Sequence, residues 1–215
     1  METLPANNIS SYIIQSQEEE IKRIALELHE GVGQTLYSVF TGLQLIETGV
    51  EQLAAKGHIR EMAQLLEKTI REIRLLSVEL HPPTLTTIGL VPAVKSYAKL
   101  YTSTYGIVVE IDAIGNQKTI PNQSNIALFR VCQESLANIA KYADTSYAKI
   151  TFTWEENCVK MEIRDSGKGF DVEKALNKSS GLAAMKERMN LAGGKCLITS
   201  KLGEGTSIEI SLPLT

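Results

Sequence analysis

The strongest constraint on the fold of this chain is a change of period at two adjacent prolines, Pro82-Pro83. Before them, from about Ser11 to Leu80, apolar residues recur at helical spacing, with one strong interruption near Lys56-Gly57-His58. Ile14, Ile21, Ile24, Leu28, Val32, Leu36, Val39 and Leu43 mark one stripe, and Ile59, Met62, Leu65, Leu66, Ile70, Ile73 and Leu80 mark a second. Two long amphipathic helices joined by a short turn have too little material to bury both stripes alone. Pairing with an identical hairpin gives a four-helix bundle that covers them, so the pattern predicts a homodimer; the alternative is a monomeric hairpin packed on the second half. Consecutive prolines cannot continue a helix, so the second helix ends there.

Beyond the prolines the period is mixed. The pattern predicts a helix over 91–104, a strand over 107–113 and a helix over 122–142. Strands over 148–154 and 159–164 follow, joined by a hairpin turn at Glu155-Glu156-Asn157. A helix over 181–192 ends at the C-cap signal Gly193-Gly194, and strands over 196–201 and 206–212 close the chain. The expected fold class is α+β: a helical hairpin forming a dimeric four-helix bundle, then an α/β sandwich on an antiparallel-rich mixed sheet. The expected divisions are a helical linker over 1–20, a helical domain over 21–83 and the sandwich over 84–215.

Composition excludes several partners. Twenty-two basic against 25 acidic residues leave a net charge of −3, with both signs mixed along the chain, so nothing points to nucleic acid or an acidic membrane surface. No apolar run approaches the roughly eighteen residues needed to cross a bilayer. The first residues lack the basic start and apolar core of a signal peptide. The chain reads as soluble and cytoplasmic, or as the cytosolic portion of a longer membrane receptor. Cys132, Cys158 and Cys196 show no CxxC or Cys/His spacing and read as reduced core thiols.

Three elements then carry chemistry. Asp165 ends an alternating stretch (Val159, Met161, Ile163) and runs into Ser166-Gly167-Lys168-Gly169-Phe170. An acid at a strand end can accept a hydrogen bond from a purine amino group, while Gly167 and Gly169 permit positive φ and close backbone approach to a ligand. Glu134 and Asn138, four residues apart on a helix, project on one face, as a pair that holds Mg²⁺ and orients a nucleophile requires. Lys141 lies within reach of a phosphate. Gly203-Glu204-Gly205-Thr206 follows downstream. Singly, each has a plain reading as an ordinary turn or a solvated helix face; together, in this order, they point to an ATP pocket.

Jointly these elements resemble the ATP-binding fold shared by gyrase, the Hsp90 chaperone, the MutL repair protein and histidine kinases, known as the Bergerat or GHKL type. Glu134 and Asn138 match that family's N-box, Asp165 through Gly169 its first glycine box, Ser180-Gly181-Leu182 its second, and Gly203 through Thr206 its terminal glycine-threonine box. The resemblance covers about residues 120–215. It implies that Asp165 holds the adenine amino group, that Asn138 binds Mg²⁺, and that Glu134 polarises the metal shell or the reacting groups. It further implies that Thr206 supports the adenine subsite and that residues 172–180 form a short lid. The motif departs from its usual form at Tyr142, where histidine is common, and at Ser179, where glycine is.

The first helix contains Glu27-Leu28-His29-Glu30-Gly31-Val32-Gly33-Gln34. Glu30 can take or orient the imidazole proton of His29, leaving the other ring nitrogen as a nucleophile. Four residues on, Gln34 lies about 40° from Glu30 around a regular helix. Gly31 and Gly33 each cost about 1 kcal/mol against alanine in a helix interior, which stability leaves unexplained. His29-Glu30-x-x-x-Gln34 resembles the phosphoacceptor motif of sensor histidine kinases that partner LuxR-type response regulators, with Glu30 where aspartate is usual. Leu80-His81-Pro82-Pro83-Thr84-Leu85 and Gly89-Leu90 extend that resemblance over nearly the whole chain from about Glu20. His58, expected in the interhelix turn, and His81, before the prolines, are poor rivals. The resemblance implies that residues 21–83 are a dimerisation and phosphotransfer domain. It also implies that His29 is phosphorylated from Mg-ATP, with Glu30 as base, and passes the group to an aspartate of a receiver domain. Gln34 would then position the water that dephosphorylates it. The rival readings are a GHKL-type ATPase or anti-sigma-like serine kinase, and a non-catalytic nucleotide-binding scaffold that docks a receiver.

Overall fold

The computed structural model describes residues 19–176 and 180–214. The expected linker over 1–20 and the start of the first helix therefore lie almost wholly outside the described residues, as do Ser179 and part of the expected lid. The chain divides into two units between Pro82 and Pro83.

The first unit is a helical hairpin. Helix α1 covers residues 19–49 and α2 spans Leu53–Leu80. The turn lies at Val50-Glu51-Gln52, not at the expected Lys56-Gly57-His58, which sits inside α2. Val50 (ψ 121°) and Gln52 (ψ 117°) are extended and break the helix. Gly57 is exposed and helical, and His58 Nδ1 lies 2.8 Å from the Ala54 carbonyl one turn back. A lone helical glycine costs only about 1 kcal/mol, which helix continuation outweighs. Across the turn, Arg60 contacts Glu47 at 2.8 Å.

Within α1 the winding changes. Glu27–Val32 is a π-helix, and α-helix resumes over Gly33–Gly49. The Gly33 amide donates to the carbonyl of Leu28, five residues back. A Cβ on Gly33 would sit 3.2 Å from that carbonyl oxygen, so the bare residue eases the closure. The seam between the helices buries Ala25, Ala63, Ile70 and Leu75, and the buried Ser77 hydroxyl donates to the Ala25 carbonyl at 2.8 Å. Several residues of the predicted stripes stay outside it: Ile24, Val32, Val39, Met62 and Leu65 are exposed, Leu65 at 67%.

The second unit begins with α3 (Pro83–Ile88), a short helix the sequence pattern did not reveal. Helix α2 stops at Leu80, ahead of the two prolines, and Pro83 opens the next helix because the first helical position needs no amide hydrogen. Helix α4 (Leu90–Tyr105), strand β1 (Val108–Ile114) and helix α5 (Asn122–Asn138) follow, and α5 runs on as a π-helix over Ile139–Ala143. Strands β2 (Tyr147–Trp154) and β3 (Cys158–Asp165) form the predicted hairpin. Then come the short α6 (Val172–Leu176), α7 (Ser180–Leu191), β4 (Lys195–Lys201) and β5 (Gly205–Pro213). The sheet order is β1-β2-β3-β5-β4, with only β1 and β2 parallel.

One sheet face alternates into the core through Ile150, Phe152, Met161, Ile163, Ile208 and Ile210. Helices cover it with Tyr97, Leu128, Phe129, Leu136, Met185 and Met189, and the Tyr97 and Phe129 rings meet edge-on at 5.6 Å. Cys132 is a core thiol whose burial pushes its pKa up to about 12. Cys158 and Cys196 are only half-buried, because they stand at strand starts rather than mid-core. No described helix is long and apolar enough to cross a membrane.

Candidate nucleotide site and histidine-bearing helix

The register of β3, β5 and β4 builds one wall of the site. Asp165 pairs with Thr206, and Thr206 pairs with Ser200, so the three stand in a row across adjacent strands. Asp165 is 7% exposed at the end of β3. Burial pushes its carboxyl above the usual aspartate range, against the Gly167 amide and the hydroxyl and amide of Thr206, which favour the ionised form. The Gly167 amide donates to Asp165 Oδ1 at 2.8 Å.

The glycine box is threaded between two neighbours. The Lys168 amide donates to the carbonyl of Ala143 at the end of α5, and the Gly203 amide donates to the Lys168 carbonyl, both at 2.7 Å. A Cβ on Gly167 would lie 2.2 Å from the Ala143 oxygen. Gly167 is therefore required for close approach, not for the positive φ expected of it; Gly169 does take φ 58°.

The other wall comes from α5 and α7. Asn138 Nδ2 donates to Glu134 Oε1 at 3.2 Å, so the pair predicted to share a helix face does meet. A Cβ on Gly181 would fall 2.0 Å from the same Glu134 oxygen, so the bare residue at the start of α7 makes room for the carboxylate.

These walls enclose a cavity of about 570 Å³ that brings together Glu134, Asn138, Lys141, Asp165, Gly169, Gly181, Leu182 and Thr206. Gly167 and Gly205 are not in its lining: Gly167 packs against the Ala143 carbonyl, and Gly205 (φ 79°) turns against the Asp165 carbonyl, where a Cβ would come within 2.1 Å. A second, more open groove of about 550 Å³ shares only Asp165 and Thr206 with the first. Its Lys149 is held at 2.7 Å by both Glu110 and Asp112, and its Lys201 contacts Glu204, so these cations are already engaged. The enclosed cavity alone adds the Glu134–Asn138 pair.

Sequence reasoning missed two residues here. Lys168 lines the cavity as the one cation inside the glycine box, a signal visible in the motif itself. Ser200 carries no motif; only its cross-strand pairing with Thr206 exposes it.

In the hairpin unit, His29 and Glu30 lie in the π segment and Gln34 in the first turn after it; all three are exposed. Among the described residues no hydrogen bond joins His29 to Glu30. The π turn replaces the regular α-helical spacing at His29 and Glu30, so the 40° separation expected between Glu30 and Gln34 does not carry over unchanged. The i→i+5 bonding of that segment instead draws residues five apart within it, such as Leu28 and Gly33, toward one face; a regular α-helix separates them by about 140°. The rivals stay poor: His58 is bonded within its own helix.

Comparison with known proteins finds two matched segments, one on each side of most of the second unit's first helices. Residues 20–85 match the family described as "Histidine kinase", and residues 123–215 match "Histidine kinase-, DNA gyrase B-, and HSP90-like ATPase". The chain is 34% identical over 208 residues to the signal transduction histidine-protein kinase/phosphatase DegS of Brevibacillus brevis. It is 35% identical over 215 residues to DegS of Bacillus subtilis, and 32% identical over 203 residues to the oxygen sensor histidine kinase NreB of Staphylococcus carnosus. Each match covers 94% of this chain but only 53–58% of the relative, so the chain spans little more than half the length of these proteins. Among solved structures, the histidine kinase domain of a blue-light activated histidine kinase from Erythrobacter litoralis superposes with a TM-score of 0.51 at 15% identity. That match covers 83% of this chain and 96% of the other, and it supports the fold. With both segments present in this order, the chain belongs to the histidine kinases, its second unit being an ATP-binding domain of the type shared with DNA gyrase B and HSP90.

Proposed function

We propose that this chain is the kinase core of a two-component system: it phosphorylates His29 from Mg-ATP and transfers the group to an aspartate on a response regulator receiver domain. The observation that carries this reading is the cavity that gathers Asp165, Thr206, Glu134 and Asn138, in a chain whose other unit presents an exposed histidine beside a carboxylate. Asp165, buried and aimed at the cavity, accepts from the adenine amino group, with Thr206 beside it and Leu182 against the base. Lys141 and Lys168, both exposed at the rim, contact the phosphates.

The donor set fits Mg²⁺. Asn138 donates an amide N–H to Glu134 and keeps its side-chain oxygen as a ligand atom, and Glu134 adds a hard carboxylate. A small protein contribution suits an ion that keeps waters and substrate phosphates in its shell. Bound there, the ion supplies charge neutralisation at the phosphates.

In the transfer, a ring nitrogen of His29 forms a bond to the γ-phosphorus as the bond to the β–γ bridging oxygen breaks, and ADP leaves. Glu30 takes the proton from the other ring nitrogen. The phosphoryl group then passes to the receiver aspartate. Gln34 orients the water that hydrolyses the phosphorylated receiver, a role supported by the kinase/phosphatase relatives. The exposed apolar residues of the hairpin, Val39, Leu45, Leu53 and Leu65 among them, support dimerisation through a four-helix bundle. With ATP and a receiver as substrates, the site of action is the cytoplasm.

The deciding experiment is incubation with γ-labelled ATP. Wild type acquires acid-labile, alkali-stable label that chases onto a receiver. His29→Gln shows label at background, with ATP binding unchanged. Undiminished labelling of that variant sinks the assignment. In the same assay Gln34→Ala keeps its label and loses receiver dephosphorylation.

A further inference from the structure

Ser200 joins two segments of the nucleotide site through a single hydroxyl. It accepts the Phe170 amide at 2.9 Å, at the end of the glycine box, and donates to the Gly205 carbonyl at 2.7 Å, in the terminal box. Its oxygen also lies 3.1 Å from Thr206 Oγ1. A hydroxyl has one hydrogen, and that of Thr206 serves Asp165, so the Ser200 hydrogen is shared between the Gly205 carbonyl and Thr206 Oγ1 while a lone pair takes the Phe170 amide. Thr206 in turn faces Asp165 across the β3–β5 pair, and its hydroxyl and amide favour the ionised carboxyl.

Ser200 itself is absent from the lining of the enclosed cavity, whereas Phe170, Thr206 and Asp165 all belong to it. It is half-buried behind Thr206, on the side of the neighbouring groove. Anything Ser200 does for a ligand in the cavity therefore acts through the residues it holds.

We propose that Ser200 is a positioning residue for purine recognition: by tying Phe170 and Gly205 to the Thr206 hydroxyl, it sets the Asp165–Thr206 wall in the geometry that reads the exocyclic amino group of adenine. The proposal rests on the reading of Asp165 as the adenine anchor. Removing the hydroxyl strips three partners of a shared contact, and the loss falls on ligands that use Asp165. A neutral hydrogen-bond deficit of about 1 kcal/mol corresponds to roughly five-fold in affinity.

The test measures binding of ATP and of purine riboside triphosphate, which lacks the amino group, to the full chain. Wild type prefers ATP. Ser200→Ala weakens ATP by about five-fold and leaves the analogue near its wild-type affinity, so the preference shrinks. Ser200→Thr restores it. Ser200→Cys keeps the volume but weakens the hydrogen bonds, and gives the same readout should the alanine variant fail to fold. Equal weakening of both ligands marks a general structural role and overturns the proposal, as does an unchanged preference in the alanine and cysteine variants. Asp165→Asn separates the two levels. If it erases the preference while Ser200→Ala and Ser200→Cys retain it, only the positioning role falls. If it leaves the preference intact, the adenine reading falls, and the proposal with it.

Discussion

The two units solve the problem of burying apolar surface in opposite ways. The ATP-binding unit closes on itself: Phe152, Leu128, Ile150 and Met185 have no measurable exposure, and helices cover one whole face of the sheet. The hairpin does not: Leu53 is 86% exposed, Leu45 74% and Leu65 67%, while its seam is made largely of small and aliphatic residues. A layer pair with a sheet supplies its own core, whereas two helices have only a seam and need further helices to cover their outer stripes. The difference suits the proposed chemistry. A pocket that grips a nucleotide needs a rigid, self-supporting frame, and a histidine that meets both a nucleotide and a receiver has to stand exposed.

The largest expected effect tests the self-sufficiency of the second unit. Phe152→Ala empties a fully buried ring position and costs about 3–5 kcal/mol, so that unit loses its cooperative melting transition and its ATP affinity. Retention of both breaks the contrast. An intermediate effect is expected from Leu65→Glu, which places a charge where the proposed bundle needs an apolar contact. The variant should shift from dimer to monomer in light scattering at micromolar concentration, with ATP binding at its wild-type value; a persistent dimer shows that this face is not the interface. The smallest effect sharpens the hairpin itself. Gly57 has no atom within 4 Å of its ideal Cβ position, so Gly57→Ala should stabilise the hairpin by about 0.5–1 kcal/mol in chemical denaturation. Destabilisation instead means that the chain turns at 56–58.

Much of the second unit was legible in the sequence because its strands alternate against a single core. The facing triplets Val159/Met161/Ile163 and Ile208/Ile210/Leu212 leave little freedom of register, since a one-residue slip turns every buried side chain outward. The Glu134–Asn138 pair and Asp165 were legible for a similar reason: fixed spacing on a helix or at a strand end places them. The turn at 50–52 was not, because Gly57 is a stronger local breaker than Val50-Glu51-Gln52, and propensity is overridden when helix contacts continue past it. Neither π segment has a periodicity signal, since each adds a single residue to one turn. Yet one carries His29 and the other Lys141, and such turns recur at functional sites. The roles of Gly167 and Gly181 were also invisible: both accommodate a specific oxygen, from Ala143 and Glu134 respectively, that folding brings alongside.

By itself the sequence determined the two periodicities, the break at Pro82-Pro83, the choice of candidate site residues and the family whose motifs they match. These depend on residue type and on spacing within single elements, which local sterics and hydrophobic alternation control. Only the tertiary structure decided that Asp165, Thr206 and Ser200 stand in one row, that the Ala143 carbonyl anchors the glycine box, and that Glu134 packs on Gly181. Those relations join residues far apart in the chain. They are set by strand register and helix packing, which no local pattern encodes.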